Sequence, residues 1–196
     1  MRKVKNYVKE IQTSFLSCEK DLEILVNKLF VSSEPYSSEL KRLLLINTKD
    51  CLEDRVNETH KNLINNTQVS DLIEQQYLIY APFFEMGENE GEKSFIRISF
   101  NNFQPALSNT YFRVHSIDID ILCPHKYWDL GNYRLRPFKI AGIIDGILNN
   151  TKLTGIGLIK FLGAEAVTMG DHYSGYCLKY AVYNADDDLI ENEDYE

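Results

Sequence analysis

The sequence predicts an α+β protein: an antiparallel, mainly four-stranded sheet with one helix packed on a face, preceded by an N-terminal helical segment. Three observations lead there. The stretch from Ser94 to Asn184 alternates apolar and polar residues in four separate runs. Between the second and third runs, the stretch from Pro137 to Leu148 carries apolar residues at helical spacing. Ahead of them, apolar positions from Val8 to Leu29 recur every three or four residues, and further short helices follow before residue 80.

The N-terminal segment opens on Val8, Ile11, Phe15, Cys18, Leu22, Leu25 and Leu29, a heptad-like seam that predicts one long helix. It packs either on its own core or on another chain. Proline and serines in V-S-S-E-P-Y-S-S (31–38) end it. Ser38 is placed to cap a second helix over Glu39–Ile46, and Thr48 a third that starts near Lys49 and runs through Cys51, Leu52 and Val56. Residues 57–66 read as polar connection, followed by a short helix near Ser70–Tyr77 with Ser70 and Glu74 as a loose capping pair. The acidic, glycine-containing stretch 81–93 reads as a loop.

The first strand is expected at Phe95–Phe100, with Phe95, Arg97 and Ser99 on one face and Ile96, Ile98 and Phe100 on the other. The second spans about Tyr111 to Cys123. There His115, Ile117, Ile119, Ile121 and Cys123 share a face opposite Ser116, Asp118, Asp120 and Leu122. Residues 101–109 suit a hairpin connection. The crossing helix starts with Pro137 at its first position, buries Ile140, Ile143, Ile144, Ile147 and Leu148, and ends at Asn149–Asn150. Gly155 and Gly157 read as turn residues, since they precede a strand rather than open a helix as a phosphate loop would. Strands over about Leu158–Met169 and Tyr176–Asn184 flank the turn at 170–175 and pair antiparallel. The organisation is therefore a helical segment over 1–80, an α+β core over 94–184 and an acidic tail over 185–196.

Charge is concentrated at one end. The last twelve residues hold seven acids and no base, which leaves 22 of the 29 acids against 21 bases in the body. A near-neutral body lacks the clustered cations of a general nucleic-acid binder. The tail reads as a disordered, solubilising end. No apolar run reaches the ~20 residues of a membrane span, so no membrane association is expected. Cys18, Cys51, Cys123 and Cys177 are far apart with no C-x-x-C, and read as reduced core residues.

Asp118 and Asp120, alternate residues on one strand face, resemble the metal-binding carboxylates of nucleotidyltransferases and nucleases. That reaction also needs a Gly-Ser turn before the pair, and none precedes Asp118. Cys123, His125, His172 and Cys177 supply zinc-type atoms without zinc-type spacing. No serine or cysteine sits in a nucleophile context. The expectation is no enzyme, no catalytic residue, no metal and no cofactor. The strongest surface candidate is the loop with Lys126, Tyr127, Trp128, Tyr133, Arg134 and Arg136, rich in the residue types of interface hot spots; Asp118 and Asp120, on a solvated or subunit-facing side of their strand, are further interface candidates.

The block F-R-V-H-S-I-D-I-D-I-L-C-P-H…W-D-L…R-L-R-P-F-K-I-A-G-I-I-D-G-I-L-N-N-T-K-L-T-G-I-G-L-I-K-F-L-G-A…G-Y-C-L-K-Y-A-V-Y-N (112–184) resembles tailed-bacteriophage neck and tail-completion proteins of the tail-terminator or head–tail connector kind. The resemblance spans Phe95 to Asn184 and marks a fold rather than a chemistry. It implies a structural virion protein, assembled in the host cytoplasm, forming a homo-oligomeric ring, a hexamer or dodecamer. The implied neighbours are portal or connector and tail proteins. Phage DNA would pass through the lumen without its sequence being read. Two other expectations stand beside it: the metal-dependent enzyme using Asp118 and Asp120, and a small monomeric adaptor that binds one partner.

Overall fold

A computed structural model describes residues 18–80, 92–105, 113–154 and 156–183. Helical residues 18–30 (α1) lead to α2 (Tyr36–Leu45), α3 (Asp54–Asn66) and α4 (Val69–Glu74). Strands β1 (Leu78–Ile79), β2 (Phe95–Pro105) and β3 (Arg113–Pro124) follow, then a 3-10 turn at His125–Tyr127 and α5 (Arg136–Leu148). The chain closes on β4 (Thr151–Leu153), β5 (Gly157–Met169) and β6 (Tyr173–Tyr183).

The class is α+β, and the sheet corrects the four-stranded, antiparallel expectation. It is a mixed, six-stranded sheet in the order β1-β2-β3-β6-β5-β4, with β1 parallel to β2 and every other pair antiparallel. The central four strands fall where the alternation predicts, but β2 runs on to Pro105 and β6 begins at Tyr173, both inside stretches read as connections. The additions are outer strands of two and three residues, too short to show a period. Strand β1 exists because Leu78 and Ile79 lie beside Ile96 and Arg97, a meeting of distant segments.

Face assignments hold residue by residue. His115, Ile117, Ile119, Ile121 and Cys123 are buried on the α5 side, together with Ile96 and Ile98. All five apolar residues expected on α5 are buried against them. Asn149 ends the helix, and Asn150 (φ 56°) and Gly157 (φ 107°) take left-handed turn conformations. Gly155 lies outside the described residues.

The helical segment departs further from expectation. Neither Ser38 nor Thr48 caps a helix: α2 starts two residues before Ser38, and α3 only at Asp54. Residues 57–66, read as polar connection, continue α3. Among the described side chains of this helix Val56 and Ile64 alone are buried, so the packing that supports it on α2 leaves little periodic trace. The capping arrangement of α4 uses Gln68 and Asp71, with Gln68 N donating to Asp71 Oδ2 at 2.7 Å, rather than Ser70 and Glu74. Of the N-terminal seam, Val8, Ile11 and Phe15 lie outside the described residues. Leu25 and Leu29 are wholly buried and Leu22 packs beside them in the chain's own core. That core is one cluster running from α1 through α5 to β6, so helices and sheet share an interior. The acidic tail 185–196 and residues 81–91 of the acidic loop also lie outside the described residues. Among those described, no helix is long and apolar enough to cross a membrane.

Candidate interaction surface

The loop between β3 and α5 is held from below and presents its tip outward. Trp128 is half-buried on the core and its Nε1 donates to Cys123 O at 3.2 Å. Leu130 is buried, and a backbone bridge joins Asp129 to Leu135. Asp129 Oδ1 accepts from Gly131 N at 2.7 Å, and Lys49 pairs with Asp129 Oδ2 at 2.5 Å. The Lys49 ammonium, followed by that amide, holds the exposed Asp129 carboxyl below its usual range. These ties fix three successive left-handed residues, Gly131 (φ 73°), Asn132 (φ 51°) and Tyr133 (φ 61°). A bulky side chain at positive φ is a strained outlier. The Tyr133 side chain is fully exposed (relative accessibility 105%), with exposed Arg134 beside it.

The other candidate residues divide. Lys126 is exposed, pairs with Glu92 and lies 4.9 Å from the centre of the half-buried Tyr127 ring. Arg136 does not reach the surface. It is 0% exposed, and its guanidinium donates to four backbone carbonyls: Leu43 (2.5 Å), Ile46 (2.9 Å), Thr48 (2.8 Å) and Tyr127 (2.8 Å). The carbonyls of Leu43 and Ile46 belong to the C-terminal end of α2, where a helix carries partial negative charge and unpaired acceptors. Arg136 therefore straps the helical segment to the loop and α5.

Asp118 and Asp120 share the sheet face opposite α5, as their alternation predicts, but lie mid-strand, away from the loop tip. Asp120 is buried and Arg97 grips its Oδ2 through Nε (2.7 Å) and Nη2. Asn101 Nδ2 donates to Asp118 Oδ2 at 2.8 Å. Burial first, and then the Asp120 carboxylate, push the Cys177 thiol up to about 12. Burial likewise pushes Cys123 up to about 11. Cys123 lies on the α5 face and Cys177, opposite Asp120, on the other, so the two cannot share a metal. Among the described residues no three His, Cys, Asp or Glu side chains gather as ligands, and the described cysteines form no disulfide with one another.

One surface was missed by the pattern reading. Strand β4 pairs only with Gly157–Ile159, and Asn149 Oδ1 accepts from Phe161 N at 3.1 Å. Beyond that, residues 162–169 of β5 have no strand on their outer side among the described residues. Leu162 bulges out of register and is 61% exposed; Phe161 is 39% exposed. Exposed Phe138 of α5 stacks on Tyr176 of β6 at 4.9 Å, extending the apolar surface across the helix. The opposite flank is open too, because β1 pairs only with Ile96 and Arg97 of β2. The available signal was β5's composition, F-L-G-A-E-A, apolar yet too small-sided for a core strand.

Among known proteins, the family model that matches this chain is that of YomW, over residues 37–182, most of the chain and nearly all of the described fold. The chain belongs to the YomW family. That name is a gene product's from an SPBc2-like Bacillus phage and supports a phage-associated protein. Comparisons with curated proteins and with solved structures return no match.

Proposed function

We propose that this chain is a structural virion protein of a tailed bacteriophage, a subunit that closes into a ring in the neck or tail around the DNA channel. The observation that carries the reading is the sheet with two open flanks. Residues 98–105 of β2 and 162–169 of β5, eight on each flank, have no strand on their outer side among the described residues. An unpaired strand edge is a ready template for another chain, and a long apolar one is a hazard unless covered. The four central strands alternate in direction, so β2 and β5 run oppositely. A neighbour related by rotation about a ring axis would bring its β2 antiparallel to this β5, continuing the alternation. A head-to-tail contact of this kind closes when the rotation divides a full turn.

The edge is modest in size. Eight residues at ~3.3 Å each give a line of roughly 26 Å, which at about 10 Å of depth covers roughly 260 Å², short of the ~800 Å² per partner that a stable pair buries. Two such edges per subunit, together with the α5 surface, add through closure rather than through one strong contact. Portal, connector and tail proteins are the expected neighbours above and below, with DNA in the lumen read through no base contacts.

The test is Leu162→Lys, which plants a charge on the edge. Expected is an intact monomer, with rings lost from particles that complement a deletion of this gene, as judged by electron microscopy and mass spectrometry of purified virions. Wild-type particles that lack the chain would refute the reading.

A further inference from the structure

We propose that Tyr133 and Arg134 form the anchor by which one copy of the chain seats in the cleft between α2 and α3 of the next. The inference rests on the self-assembly reading and names a second contact within it. The tip is rigid and strained, and its tyrosine makes no hydrogen bond or ring contact among the described residues. Strain of this kind persists where the surroundings impose it, and it concentrates at clamps and contact sites. Tyrosine and arginine are among the residue types most enriched at the centres of protein interfaces.

The α2–α3 cleft is complementary to that tip. It holds about 310 Å³, room for a phenol ring, with Pro35, Leu52 and Ile64 as apolar walls. Arg42 lines it, donating from Nε to Cys51 O at 3.0 Å, while its Nη2 is buried with no hydrogen-bond partner. Glu34 and Glu39 balance Arg42 and Lys61 in the lining, and exposed Glu34, whose Oε2 accepts from Ser38 N at 3.4 Å, offers its other carboxylate oxygen to the Arg134 guanidinium. Anchor and cleft are different surfaces of one subunit, so the contact is head-to-tail and propagates around a ring.

The experiment replaces Tyr133 in the full-length chain by a photo-crosslinking phenylalanine analogue, which keeps an aromatic ring at the tip. Equal amounts of 14N- and 15N-labelled protein are mixed at high concentration and irradiated, and adducts are mapped by mass spectrometry. Expected are mixed-isotope adducts from position 133 to peptides covering 34–42 or 52–65. Adducts to other peptides, adducts within one copy only, or none at all would overturn the proposal. In parallel, Tyr133→Gly should weaken self-association at least tenfold by light scattering while leaving the melting temperature unchanged or raised, because glycine accepts the left-handed backbone. Oligomers that persist undiminished in Tyr133→Gly overturn this contact and leave ring assembly standing. Absence of the chain from virions overturns ring assembly itself.

Discussion

Replacing Arg136 by alanine tests the strap between helices and sheet. The guanidinium makes four charged hydrogen bonds to main-chain carbonyls, and the two to Leu43 O and Ile46 O are buried. Truncation strands those two acceptors at ~1–3 kcal/mol each, while the part-buried carbonyls of Tyr127 and Thr48 can recruit water. The loss is therefore about 4 kcal/mol, a large share of the ~5–15 kcal/mol that holds a domain together. In urea, with a slope of ~2 kcal/mol/M, the midpoint falls by about 2 M. Arg136→Lys keeps one charged donor group and should fall between alanine and wild type. A loss below about 1 kcal/mol in Arg136→Ala would show that desolvating the guanidinium cancels its hydrogen bonds, and would refute the strap.

Three further outcomes are expected. Gly175→Ala places a Cβ 1.8 Å from Ile121 O, a backbone clash between β6 and β3, and should cost more than about 2 kcal/mol by urea titration. Leu162→Lys, at a largely exposed position, should leave monomer stability within about 0.5 kcal/mol by thermal melting even as assembly is lost. Folded-state thiol values near 11 for Cys123 and 12 for Cys177 lie above the unfolded value near 9. The stability they contribute is fully present below pH 9 and drains as pH rises toward 11–12, because the unfolded chain releases its protons first. Urea melts between pH 8 and 11 should show that decline, and Cys123→Ser should flatten it.

Legibility in the sequence followed the length of each pattern. Strands β2 and β3 and helix α5 each bury one face over enough residues to repeat a period, so their facing residues could be read; β5 and β6 were legible only as strands, and β5 buries just Ile159. Helix α3, with Val56 and Ile64 alone buried among its described side chains, could not be read that way. The loop residues Lys126, Tyr127, Tyr133 and Arg134 were picked out by composition alone. Arg136, of the same composition, is internal, because burial depends on what the fold brings to it.

The sequence by itself determined the α+β class, the central strands, the faces of the first two of them, the crossing helix, and the concentration of acid at the C-terminal end. These rest on side-chain periodicity, which is local. Only the tertiary structure decided the mixed six-stranded order, the two unpaired flanks, the α2–α3 cleft and the strap at Arg136. Each depends on a meeting between segments far apart in the chain, such as the roughly 90 residues between Arg136 and Leu43. No local pattern encodes which carbonyl a distant arginine will reach.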